Sequence, residues 1–313
     1  MKKKLKNLVL FTSLSVFSIH LLNKFLTFTA TIRDLLKSES GFFYEWRFGK
    51  IYYTKQGSGS PILLIHDLTT ASSSCEWNEI VNSLAQNHTV YTIDLLGCGR
   101  SDKPNLTYTN FLYVQLISDF VKNIIGHKTD VMVTGDAAPL VITACGNDAA
   151  LFNKIIMINP MSLYRLNEIP SKRTKTLKIL IETPILGTLL YNLYAMKCNI
   201  EDKFIETYYF NPFKVDQTYI DTYYESSNLG NAKYLFASLK GRYTNINILH
   251  ALKNINHSIY IIGGSEENEI KTTIDNYSYY NPSIESYIIK KTKHLPQLEA
   301  PEELLEQVEI FLG

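Results

Sequence analysis

Short runs of β-branched and aromatic residues alternate with amphipathic helical stretches, and this predicts an α/β fold with a mostly parallel central sheet of about eight strands covered on both faces. The alternation stops at Pro160 and resumes near Ser258, which places a helical insertion in the middle of the sheet. The length, 313 residues with 45% apolar, suits one large domain carrying such an insertion. Charge is sparse and balanced, 31 Lys and Arg against 30 Asp and Glu, which argues against disorder and against a broadly cationic nucleic-acid surface. A mean hydropathy of -0.06 excludes a polytopic membrane protein and leaves room for one apolar anchor.

In chain order, residues 1–34 stand apart. Lys2, Lys3, Lys4 and Lys6 precede an apolar run over 8–22, and no acid appears before Asp34. His20, Asn23 and Lys24 interrupt the run before 25–30 resumes it, so as a membrane span it is marginal. A cleavable signal wants small residues at two positions, and Phe28 and Ala30 meet half of that. An uncleaved anchor is therefore expected, with the lysines on the cytoplasmic side if it spans. A helix packed on the rest of the chain is the bland alternative.

Strands are expected at 51–54, 62–65, 90–94, 131–134, 155–158, 259–262 and 286–289, with helices at 76–84, 114–125 and 302–311. The turn 56–61, rich in Gly and Ser, reads as a hairpin between the first two strands. Residues 35–160 and 257–313 then form the core, and 161–256 the insertion, whose helical patterns break at Pro170, Pro184, Gly187, Pro212 and Gly230. Cys75, Cys98, Cys145 and Cys198 have neither zinc-ligand nor disulfide spacing, and no metal or cofactor is expected.

Four segments carry a resemblance. Pro61-Ile-Leu-Leu-Ile-His66-Asp67 resembles a strand ending in His-Gly ahead of an oxyanion hole. Asp94-Leu-Leu-Gly97-Cys-Gly99-Arg-Ser101-Asp-Lys-Pro104 matches a D-x-x-G-x-G-x-S-x-x-P loop, and Val133-Thr-Gly135 leads into a helix where a G-x-S-x-G turn would lie. His294-Leu-Pro296-Gln-Leu-Glu299-Ala-Pro301-Glu302 is similar to an H-x-P-x-x-E-x-P-E run. In this order they resemble the α/β-hydrolase superfamily, in its capped branch of dehalogenases and esterases. The resemblance implies that 161–256 is a cap over an apolar pocket for a small apolar substrate or ligand.

It also implies a nucleophile at the strand-to-helix turn, and here the sequence departs. Matching Gly135 to the first motif glycine puts Ala137 at the nucleophile position, where a methyl group has no lone pair to attack with. A shift of one residue places Asp136 there instead, in the manner of the dehalogenases. Both assignments stay open, with Ala137 preferred. By the same resemblance His294 is the base and Glu267 its acidic partner, with Glu266 and Glu269 as alternatives; the backbone N–H groups of Leu68 and Ala138 are the oxyanion donors beside His66. Asp67 replaces a glycine, and its charge would oppose an oxyanion. Two functions follow: a hydrolase with an unorthodox nucleophile, or a catalytically inactive, membrane-tethered protein that keeps the pocket to bind a ligand or partner.

Overall fold

The computed structural model describes residues 2–37 and 41–313, excepting the side chains of Lys2, Lys3, Leu5, Leu8 and Val9. The strands are β1 (Phe42–Trp46), β2 (Gly49–Gln56), β3 (Ser60–Ile65), β4 (His88–Ile93), β5 (Thr129–Thr134), β6 (Phe152–Ile158), β7 (Ser258–Gly264) and β8 (Glu285–Ile289). They form one sheet in the order β1-β2-β4-β3-β5-β6-β7-β8. The β1/β2 and β2/β4 pairs are antiparallel and all others parallel. Parallel strands buried on both faces explain the near-continuous apolar runs of β3 to β7.

One local expectation is corrected. The residue 56–61 turn does not make a hairpin: β2 and β3 are not neighbours, because β4 lies between them. The chain leaves β2 across the start of β4, so tightly that a Cβ on Gly57 would stand 2.4 Å from the Ala85 and His88 carbonyl oxygens. The antiparallel start is instead the β1/β2 ribbon, turned at Arg47 and Phe48.

Helices cover the sheet. On one face α2 (Asn78–Leu84) packs on the C-terminal helix Pro301–Leu312, and on the other lie α3 (Asn110–Phe120) and α4 (Ala138–Asn147). Between β6 and β7 the described residues contain no strand. They form α5 (Leu163–Leu166), α6 (Lys172–Glu182), α7 (Leu186–Tyr194), α8 (Lys197–Lys203), α9 (Gln217–Asn228), α10 (Lys233–Lys240) and α11 (Leu249–Asn254). Beyond β7 come α12 (Ile270–Tyr280), α13 (Pro296–Glu299) and α14 (Pro301–Leu312).

The N-terminal helix α1 (Lys2–Thr31) contains a stretch, Leu10–Thr31, long and apolar enough to cross a membrane. Its second half rests on the insertion. Asn23 Nδ2 donates to the Ile185 carbonyl at 3.0 Å and Asn192 Nδ2 donates to Asn23 Oδ1 at 3.0 Å. Just past the helix, the Leu35 and Leu36 amides donate to the Glu225 carboxylate, and Arg33 pairs with Asp221. The polar interruption at Asn23 is therefore a contact point.

Candidate active site

The site gathers at the carboxyl ends of β3, β5, β6 and β7, beneath the helical insertion. β3 delivers His66 and Asp67. The Leu95 amide donates to His66 Nε2 at 3.0 Å, so the proton sits on Nδ1, 2.6 Å from the Asp67 carbonyl oxygen. Buried completely, His66 ties the ends of β3 and β4 together and does not face the cavity.

The Asp67 side chain turns toward β5. Its Oδ1 accepts from the Asp136 amide at 2.6 Å and the Leu68 amide at 2.8 Å, and its Oδ2 lies 3.3 Å from His294 Nε2. Burial pushes this carboxyl up, but the His294 hydrogen bond and charge, with the two amides, outweigh it and hold the group below the usual carboxylate range. Asp67 is thus an anion in a cradle of backbone N–H groups.

The strand-to-helix turn after β5 explains why that cradle is open. Gly135 alone in the turn has a left-handed backbone, φ 53°, and a Cβ there would meet Asp67 Oδ1 at 2.2 Å. The residue at the apex is therefore Gly135, and the space its side chain would fill is occupied by the Asp67 carboxylate. Ala137, expected at the apex, has φ -84° and is packed in the core. Ala138, expected as an oxyanion donor, gives its N–H to the Gly135 carbonyl. The expected register is off by two residues because the only glycine in the turn takes the strained conformation itself, whereas the motif alignment reserves it for close packing. The Leu68 and Asp136 amides are the two that converge on one point, and there they meet Asp67 Oδ1.

Asp136 keeps its side chain at the cavity wall. Burial, then the neighbouring Asp67 charge, pushes its carboxyl up to about 7, against the opposing influence of Arg165 and His294. His294 follows β8 in the loop before α13. Its Nδ1 is 3.5 Å from Glu267 Oε1, and its ring stacks on Tyr208 at 5.4 Å. Burial pulls the imidazole down, yet Asp67 and Glu267 together raise it well above the ordinary histidine value. The structure brings Glu267 to His294, while Glu266 accepts from the Ser265 hydroxyl and Glu269 starts α12 with φ 57°.

Glu76 and Asn159, which linear spacing did not single out, complete the site, and two motif carboxylates, Glu299 and Asp94, hold the loops around it. Glu76, fully buried, accepts from the Asp67 amide at 3.1 Å, from the Thr134 hydroxyl at 3.3 Å and, from the insertion, the Tyr223 hydroxyl at 2.8 Å. Burial raises its carboxyl. Asn159, at φ 45°, donates to the Lys293 and His294 carbonyls, and Glu299 accepts from the Phe210, Asn211 and Lys293 amides. The motif carboxylate Glu299 thus fastens the His294 loop to the insertion. Similarly, Asp94 is held down to about 2 because Arg100 outweighs its burial, and it orders the Gly97 to Ser101 loop away from the cavity.

A cavity of about 450 Å³ opens above Leu68 and Asp136, roofed by α6, α7 and α10 through Leu177, Tyr194 and Phe236; its lining is mixed rather than apolar as expected, because Arg165, Glu168, Lys240 and Arg242 also face it. A second, of about 240 Å³, shares Asp136, Met161 and Arg165 and reaches Tyr208, Glu267 and His294. Among the described residues no group of His, Cys, Asp and Glu side chains is arranged to hold a metal ion.

The sequence profile of the alpha/beta hydrolase family matches residues 62–307. A 2-hydroxy-6-oxo-6-(2'-aminophenyl)hexa-2,4-dienoic acid hydrolase of Metapseudomonas resinovorans is 34% identical over 71 residues, 22% of this chain and 24% of that protein. The match thus spans about a quarter of that relative's length. A proline iminopeptidase of Heyndrickxia coagulans is 23% identical over 279 residues, covering 83% of this chain and 93% of its own. Among solved structures, a bacterial membrane phospholipase A described as a virulence factor superposes with a TM-score of 0.70 at 16% identity, covering 100% of this chain and 98% of that one.

Proposed function

The chain belongs to the alpha/beta hydrolase family, and from that premise we propose that it is a hydrolase of small-molecule substrates whose nucleophile is Asp67, reached from the strand β3 side rather than from the turn after β5. The single observation that carries this reading is the Asp67 carboxylate itself: one oxygen between the Leu68 and Asp136 amides, the other 3.3 Å from His294, in the space a side chain at Gly135 would take. A carboxylate so held has one oxygen fixed as the future oxyanion, while the other, paired with His294, is the attacking atom.

The chemistry follows from the charges. Asp67 Oδ2 forms a bond to a substrate carbon and displaces a leaving group, which takes the proton of cationic His294. The Asp67 charge that kept that proton in place is now gone, so the imidazole is left neutral with Glu267 behind it. Water gives one proton to His294, its oxygen adds to the Asp67 carboxyl carbon, and negative charge gathers on Oδ1 between the two amides. Collapse expels the rest of the substrate, as an alcohol from a halide or epoxide and as a carboxylic acid from an ester, which carries away the remaining hydroxyl proton, and restores the carboxylate and the imidazolium. Arg165 and Asp136 line the cavity where the leaving group departs. The helices between β6 and β7 serve as the cap, and α1 tethers the enzyme to a membrane.

A second reading is favoured by one feature: Asp67 lies beneath the cavity floor in a direct ion pair with His294, which would suit a binding protein that does not turn over its ligand. A panel of aryl esters, alkyl halides and epoxides separates the two. The hydrolase reading predicts turnover by the wild type, lost about 1,000-fold or more in Asp67→Asn and retained in Ala137→Ser. Binding without turnover in every case supports the second reading.

A further inference from the structure

We propose that the α6–α7 hairpin of the insertion is seated on the surface of a lipid bilayer rich in anionic headgroups, so that the roof of the cavity is also a membrane contact. The proposal rests on the reading of α1 as a membrane span, and the experiment below separates the two.

The length of α1 carries the first step. A hydrocarbon core of roughly 30 Å takes about 20 helical residues. Counted from Leu8, the first apolar residue past the lysine-rich start, such a span ends near Thr27. Yet Asn23 is already fastened to the hairpin, through the Ile185 carbonyl in its turn and Asn192 on α7. A bilayer deep enough to cover α1 therefore reaches the level at which α7 lies against it.

The surface found at that level is apolar. Along α7, Leu186, Leu190 and Leu193 are exposed at spacings of four and three, which puts them on one face, while Tyr191 and Asn192 point inward. Ile179 and Leu180 of α6 are exposed next to them. On α1 itself Phe25 and Phe28 remain 62% and 61% exposed although the helix is packed on the insertion by then. The other end of α6 is basic: Lys172, Arg173 and Lys175 are exposed, whereas Lys178 is engaged by Glu182 at 2.6 Å. An apolar row beside a cationic row fits the boundary between acyl chains and anionic headgroups. Thr174, Leu177 and Tyr194 of the same hairpin line the 450 Å³ cavity, so a bilayer seated there lies against the cavity's rim.

The test uses the full chain reconstituted in vesicles of phosphatidylcholine, with and without phosphatidylglycerol, containing brominated lipid to quench tryptophan. Trp46 and Trp77 are buried and give a constant background. Single reporters are placed by Phe17→Trp in α1, Leu190→Trp in the hairpin and Ile310→Trp. Ile310 is exposed and apolar too, but sits near the chain end, where Lys154 at the start of β6 donates to the Leu312 carbonyl, opposite the insertion. The expected result is quenching at Phe17→Trp, and at Leu190→Trp about three-fold above that at Ile310→Trp. Adding Lys172→Glu, Arg173→Glu and Lys175→Glu should reduce the Leu190→Trp signal in phosphatidylglycerol vesicles only. Quenching at Phe17→Trp with Leu190→Trp no different from Ile310→Trp overturns the hairpin contact and leaves the anchor standing. No quenching at Phe17→Trp removes the anchor reading and this inference with it. Unchanged quenching after charge reversal overturns the anionic-lipid requirement.

Discussion

Asp67 and Gly135 act as one feature, because a side chain at either position excludes a side chain at the other. Adding a Cβ at Gly135 brings it within 2.2 Å of the carboxylate and strains a left-handed turn, so Gly135→Ala should lose activity with Asp67 displaced from its amides. The exchange Asp67→Gly with Gly135→Asp returns the carboxylate to the turn and should recover turnover that Asp67→Gly alone lacks, as steady-state kinetics on the three variants would measure. Asp tolerates the left-handed conformation better than most residues. Asp136 supplies a separate prediction. Its folded-state carboxyl is raised to about 7, above its unfolded value, so the fold binds the extra proton and stability falls as pH rises from about 4 through 7. The groups that set this are Asp67, Glu267, His294 and Arg165. Asp136→Asn should flatten that fall and be more stable at pH 8, by on the order of 2 kcal/mol, in denaturant titrations at pH 5 and 8. In the sequence, the departure at Asp67 was visible as a charge beside an oxyanion site. Its role was not, because only the folded turn shows that the apex is an empty glycine.

Among elements, β2 to β8 were legible as short runs of β-branched and aromatic residues, and the break at Pro160 marked the insertion. The ribbon strand β1 was not, since Phe42–Trp46 is largely exposed and carries no buried alternation. Nor did spacing distinguish a β2/β3 hairpin from a loop that lets β4 in between. The loop bearing His294 is the element most dependent on distant partners. Glu299 draws in the amides of Phe210, Asn211 and Lys293, so His294 is positioned by a carboxylate that never reaches it. Glu299→Gln turns one acceptor oxygen into a donor facing those amides and should cost about 2 kcal/mol. We expect kcat to fall while KM changes little, a split that thermal melting and kinetics together would establish.

At the scale of the molecule, α1 joins the site to its surroundings, because its apolar outer face is free while Asn23, Arg33 and the Glu225 contacts hold its inner end to the insertion. Full-length protein should need detergent after fractionation, and a chain lacking residues 2–31 should not; equal solubility of both would contradict the tether. The basic and apolar start was plain in the sequence, but its seat on α7 and α9 was not, since no local pattern announces a partner far along the chain. The central claim, that Asp67 is the nucleophile, is tested most directly by turnover in water enriched in heavy oxygen followed by mass spectrometry of the digested enzyme. The account predicts that the peptide containing Asp67 acquires heavy oxygen, because water attacks its carboxyl carbon. Heavy oxygen confined to the product, or carried by the peptide containing Asp136, would contradict it.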